Sequence, residues 1–152
     1  MKFEHKATIA APIDQVWAFL MDVPSVATCA PGVDSVADLG NDRYRGTIKV
    51  AVGPIRLALE DDVSITEKDE VARTASMRAD AADKRAGGAV KAVLNMALAS
   101  VAGGTELSMV TDAQIMGRIG EFGQPIIKKK AEQMTNQFVE NLQKAIIERA
   151  AR

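Results

Sequence analysis

Hydrophobic positions along the chain change their spacing several times, and each change marks an element. Residues 2–10 alternate, with Phe3, His5, Ala7 and Ile9 on one face, which predicts a half-buried strand. Pro12 suits the first turn of a helix, where its missing N–H is no loss. Ile13, Val16, Trp17 and Leu20 then make a short apolar stripe that ends at Pro24. A second helical turn is expected over 24–28, before Pro31-Gly32 redirects the chain.

From Val33 the period is two. Residues 33–39 predict a strand, and Gly40-Asn41-Asp42 a turn. Tyr44, Gly46, Ile48, Val50 and Val52 face one way; Arg43, Arg45, Thr47 and Lys49 face the other. Gly53-Pro54 is a tight turn, and Ile55, Leu57, Leu59, Val63 and Ile65 continue the inner face. A polar hairpin tip follows at 67–70. Residues 71–80 read as a weaker strand with Ala75, Met77 and Ala79 inward, and 81–88 as a loop. Residues 89–101 are rich in Ala, Leu and Met, which favour helix. Yet Lys91 and Asn95 alternate against Val90, Ala92, Leu94, Met96 and Leu98, and Gly103-Gly104 resembles a hairpin turn into a strand over 105–116. The hairpin context predicts strand.

The spacing then lengthens to three and four. Ile119, Phe122, Ile126, Ile127, Ala131, Met134, Phe138, Leu142 and Ile146 share one face of a long helix within 116–147. Gly117, Gly120 and Gly123 recur every third residue at its start. On a helix they would form a smooth groove, open to a backbone, a flat ligand or a hinge motion. Each would cost about 1 kcal/mol relative to Ala, so packing, a ligand or a gating role should compensate. The whole order predicts an α+β fold: two short helices after the first strand, and a curved antiparallel sheet wrapped around a long C-terminal helix. Gly46, Gly53, Gly103 and Gly104 are the candidate kinks. One domain is expected over 1–148, with a short C-terminal tail at 149–152.

Composition narrows the function. A chain of 152 residues suits a single core. Lys+Arg 19 against Asp+Glu 20 argues against a dedicated nucleic-acid binder and gives little general attraction to anionic membranes. One Cys allows no internal disulfide and fits a reducing compartment. The N-terminus alternates instead of forming a signal-peptide core, and no apolar run is long enough to span a bilayer. The expectation is a soluble cytoplasmic protein.

Candidate chemistry is sparse. His5 is the only histidine and lies on an apolar strand face, where a structural role outweighs a catalytic or metal-binding one. Cys29 has no CxxC companion and reads as a small buried hydrophobe. In Glu60-Asp61-Asp62, alternation turns Asp61 away from its neighbours, so the run is mostly a solvated edge. Asp61 facing inward would be costly unless hydrogen-bonded, and could serve as a functional acid. Tyr44 could offer its hydroxyl to a ligand or simply pack its ring. No phosphate-binding glycine motif is present. Lys128-Lys129-Lys130 spreads over about 200° of helix circumference and reads as a solvated face, with contact to a membrane or an acidic partner as the alternative. No catalytic residue, metal ligand or cofactor is expected.

Three local patterns add a resemblance. APIDQVWAFLMDVPSVATCAPGV (11–33) carries AP, VW, L, D and CxPG; YRGTIKVAVGPIRLALEDDV (44–63) carries paired strands joined at Gly-Pro; MGRIGEFGQPII (116–127) carries a G-x-x-small-x-x-G approach to the last helix. Together they resemble the CoxG family of carbon monoxide dehydrogenase subunits, within the START/SRPBCC helix-grip superfamily, over almost the whole chain. The resemblance implies an apolar ligand between the sheet and the long helix, and a link to molybdenum hydroxylases of the CO dehydrogenase type. It also implies roles in membrane recruitment, at the inner face as a peripheral contact, and in quinone handling. The chain departs from the family pattern at Asp61, where relatives often have Gly, and in stopping soon after the helix, where many relatives carry a longer tail.

The expected function is a non-enzymatic binding protein for a lipid- or quinone-like molecule. Trp17, Tyr44, Met96, Met109, Phe122, Met134 and Phe138 are its candidate contacts, and Gly117, Gly120 and Gly123 its gate or hinge. The wall is expected to combine small residues, such as Ala75, Ala79, Ala92 and Ala113, with methionines that adapt to varied shapes. Two alternatives stay open: a cyclase, dehydratase or hydrolase using Asp61 or His5, and a recruitment or assembly protein acting through its surface.

Overall fold

A computed structural model describes residues 1–151. Strand β1 (Lys2–Ile9) leads into helices α1 (Ile13–Met21) and α2 (Val23–Ala27). Six strands follow: β2 (Val33–Gly40), β3 (Arg43–Val52), β4 (Ile55–Asp69), β5 (Thr74–Asp83), β6 (Gly88–Val101) and β7 (Gly104–Gly117). A 3-10 turn (Arg118–Phe122) precedes the long helix α3 (Gln124–Ala150).

The seven strands form one antiparallel sheet in the order β1-β7-β6-β5-β4-β3-β2. Every neighbouring pair but β1 and β7 is joined by a direct hairpin or short turn, because an antiparallel ladder needs no crossover. The helices α1 and α2 carry the chain from β1 at one edge to β2 at the other. Breaks in register between Val33 and Ser35, Asp38 and Gly40, and Ile65 and Glu67 add bends along β2 and β4.

The segment rich in Ala, Leu and Met at 89–101 is indeed a strand. It pairs with β5 from Gly88 to Ala97 and with β7 from Gly88 to Val101, and this two-sided pairing overrides helix propensity. The expected loop over 81–88 is shorter. Ala81 and Ala82 pair with Asp61 and Glu60, so β5 runs on to Asp83. At its other end β5 starts only at Thr74, after a turn in which Arg73 has φ of 59°.

The three glycines before the long helix are not on it. Gly117 ends β7 with φ of 72°, and Gly123 precedes α3 with φ of 84°, in the left-handed region that favours glycine. A Cβ on Gly117 would lie 2.3 Å from the Gly87 carbonyl oxygen. These residues bend the chain between sheet and helix, so no helical glycine groove forms. Pro125 then takes the first turn of α3. The helix continues through Ala150, and Arg149 belongs to it.

Two clusters hold the layers together. The larger joins Ile9, Val16, Trp17, Phe19 and Cys29 to Leu98, Leu107, Leu142 and Ile146. The smaller gathers Val52, Leu57 and Ile119, with Leu59, Ile115 and Phe122 against them. The C-terminal half of α3 is firmly seated. Leu142 and Ile146 are buried, Asn141 donates to the Cys29 carbonyl at 3.0 Å, and the Ala10 N–H donates to Gln143 Oε1 at 3.0 Å. Its first turns are less enclosed: Ile126, expected on the inner face, is 53% exposed.

Candidate functional site

Between the two clusters the concave face of the sheet is not filled. A cavity of about 270 Å³ remains there, roofed by α2 and by Phe138 of α3. Its wall follows from alternation. Tyr44, Gly46 and Ile48 of β3, Val63 and Ile65 of β4, Ala75 and Met77 of β5, Leu94 and Met96 of β6, and Leu107 and Met109 of β7 all face it. Leu20 and Met21 close the α1 side, and Val23, Val26 and Ala27 come from α2.

Helix α2 holds its place through one polar knot. Asp22 accepts from the Ser25 hydroxyl at 2.6 Å, which lowers its pKa, and from Arg149 at 3.0 Å. Arg149 also donates to Ser25 Oγ at 2.7 Å and lies over the Phe19 ring, 4.5 Å from its centre. The far end of α3 thereby braces the helix that roofs the cavity.

Gly46 shows why a small residue stands on the wall. A Cβ there would lie 2.8 Å from the Ser35 carbonyl oxygen on β2. The residue opposite Gly46 on β4 is Asp61. Its side chain is half-buried on the cavity wall, and Oδ1 is enclosed with no hydrogen-bond partner. Burial raises its pKa first, and the nearby Asp62 and Asp80 raise it further. Asp62 itself points outward and pairs with Arg45 at 2.8 Å. Burial, followed by Asp38 and Asp42, also raises the pKa of Tyr44.

Of the contacts expected from the sequence, Tyr44, Met96, Met109 and Phe138 come together on this wall. Trp17 does not reach it; its ring is 6% exposed within the larger cluster, beneath the Arg73 guanidinium at 5.7 Å. Phe122 packs against the smaller cluster, and Met134 is half-buried on α3 away from the wall. Gly117, Gly120 and Gly123 precede α3 and do not line the cavity. His5 is half-buried on β1 and also lies off the wall. The α2 residues Val23, Val26 and Ala27 were missed. Their signal was a short apolar run bounded by prolines, which gave no sign of the face it would cover.

Among the described residues no group of three or more His, Cys, Asp or Glu could hold a metal ion. Among the described residues no helix is long and apolar enough to cross a membrane.

A curved antiparallel sheet closed over an apolar cavity by a long C-terminal helix defines a helix-grip protein. Solved structures share this architecture. A conserved protein from Geobacillus kaustophilus superposes with a TM-score of 0.89 at 18% identity, over 97% of this chain and 96% of that one. An aromatase/cyclase from a Streptomyces species gives a TM-score of 0.70 at 18% identity, covering 100% of this chain and 96% of that one. A norcoclaurine synthase from Thalictrum flavum gives 0.69 at 12% identity, covering 99% and 96%. At these identities the likeness is one of fold. A comparison with curated proteins found no match. The model of the CoxG family of carbon monoxide dehydrogenase subunits matches residues 6–147, and the chain belongs to that family.

Proposed function

We propose that this protein is a non-enzymatic carrier that holds a lipid- or quinone-like molecule between its sheet and α3, in association with a molybdenum hydroxylase of the CO dehydrogenase type. The observation that carries the binding role is the apolar cavity of about 270 Å³, whose polar lining is Tyr44 and Asp61, with Arg45 and Ser76 bonded to Asp62 and Asn95. Ligand sites are commonly apolar concavities with a small number of placed polar groups. The family name supports the partner. In this reading Met77, Met96, Met109 and Phe138 supply the apolar contacts, and the polarizable methionines fit ligands of varied shape.

Native mass spectrometry of protein extracted without detergent tests the reading. The wild-type chain should carry or take up an apolar molecule, and Ala75→Phe, which fills the cavity, should not. Protein that neither carries nor takes up any apolar molecule would overturn it. Co-purification with the hydroxylase that survives Ala75→Phe would assign recruitment to the surface and not to the cavity.

Asp61 favours one second reading. It is an acid on the cavity wall, as a cyclase or dehydratase of this fold would need. No partner orients Oδ1, however, and His5, the other candidate, lies away from the wall. General acid–base work needs a positioned group as well as a tuned pKa; Asp61 has the raised pKa but no neighbour that positions its carboxyl, so binding is the better-supported role.

A further inference from the structure

Most of the cavity wall asks only for apolar surface of the right shape. Asp61 asks for something more. It sits on the inner face of β4 between Leu59, which packs on the smaller cluster, and Val63, which lines the cavity. Its neighbours across the ladders are Gly46 and Ala81, neither of which has a side chain that can donate. Arg45 is held by Asp62 on the outer face. Among the described residues no ion pair reaches Asp61, and its Oδ1 is the one buried side-chain nitrogen or oxygen without a hydrogen-bond partner.

A carboxylate placed in this way is costly unless a donor meets it. The fold supplies none to Oδ1, and the residue lines the cavity, so a bound molecule lies beside its carboxyl. A hydroxyl on the ligand would supply the donor with less desolvation than an ammonium would need, whereas a carboxylate on the ligand would meet like charge. We infer that Asp61 is the polar anchor of the cavity and selects apolar molecules bearing an alcohol or phenol hydroxyl. The inference rests on the cavity being an apolar binding site. Burial raises the pKa of Asp61, and a donor to its ionised form would offset that burial.

Three probes of one shape test this: 2-naphthol, naphthalene and 2-naphthoate, titrated calorimetrically into the protein at neutral pH. A hydrogen bond to a charged group predicts that 2-naphthol binds about tenfold or more tighter than naphthalene, and 2-naphthoate weakest of the three. In Asp61→Ala the affinities for 2-naphthol and naphthalene should converge to within about threefold. Asp61→Asn, which keeps the size and removes the charge, should narrow the preference in the same direction and serves if Asp61→Ala does not fold. Equal binding of naphthalene and 2-naphthol to the wild type, a preference that survives in the variants, or tight binding of 2-naphthoate would overturn the anchor alone. Failure of all three probes to bind would overturn the anchor and the apolar-site reading together.

Discussion

Asp61 and Asp83 are aspartates on neighbouring strands whose carboxyls are held in opposite ways. Asp83 is 4% exposed and accepts from three backbone N–H groups, those of Ala58 at 2.8 Å, Arg85 at 3.0 Å and Ala86 at 2.9 Å. These bonds, from Ala86 first and then Ala58, lower its pKa. Its contribution to stability is therefore present above the ordinary carboxylate range, about 3.9, and is lost as pH falls through its folded pKa. Asp61 has the reverse sign. Its folded pKa is raised, so stability is lost as pH rises from about 3.9 through that pKa, and the loss persists at neutral pH. Asp61→Asn should stabilise the protein at pH 7 by about 1 kcal/mol, because the amide carries no charge for burial to penalise. The gain should shrink in acid as the wild-type carboxyl protonates. Asp83→Ala should lower Tm at pH 7, with the gap closing in acid. Thermal melts of both variants between pH 3 and 7 check the signs; a gap for Asp61→Asn that widens in acid would refute its half of the prediction.

At the scale of elements, α3 is held by apolar burial more than by its ion pairs. Leu142 is 0% exposed within the larger cluster. Truncating such a side chain removes its transfer energy and leaves a cavity, so Leu142→Ala should cost about 3 kcal/mol. Arg149 makes two hydrogen bonds and stacks on Phe19, yet its side chain is 45% exposed and solvent screens the pair with Asp22. Arg149→Ala should cost about 1 kcal/mol or less. Urea denaturation would rank the two, and equal losses would show that the brace on α2 matters more than exposure suggests. The strands were legible because alternation is a local property that a one-sided sheet imposes on every residue. The long helix was legible for a similar reason. Its start was not. Three glycines at i, i+3 and i+6 fit a helix face by spacing alone, and only the close approach of Gly117 to the Gly87 carbonyl shows why the chain turns there.

At the scale of the whole molecule, the cavity gives the fold slack at one place. Ala75 lines it, so Phe at that position can extend into empty space instead of forcing its neighbours apart. Overpacking a filled core costs about 1–3 kcal/mol; Ala75→Phe should stay below about 1 kcal/mol while excluding ligands from the cavity. A large loss of stability would mean that the space is not available to a rigid ring.

The chain by itself determined the order of elements, the face on which the apolar residues of most strands turn inward, and the family pattern in its three motifs. Those are consequences of period and local chemistry, which one dimension can carry. It also brought Tyr44, Met96, Met109 and Phe138 forward as contacts, and they do meet on one wall. The tertiary structure decided which apolar residues fill space and which surround it. Trp17 and Phe122 are as apolar as Phe138, but Trp17 is buried in the larger cluster and Phe122 packs on the smaller one, while Phe138 also lines the cavity. It also decided that Asp61 faces inward without a partner, because that depends on Gly46 and Ala81 standing opposite it across two ladders. A gap is a property of several elements at once. No single stretch of sequence records the distance between a sheet and the helix that covers it.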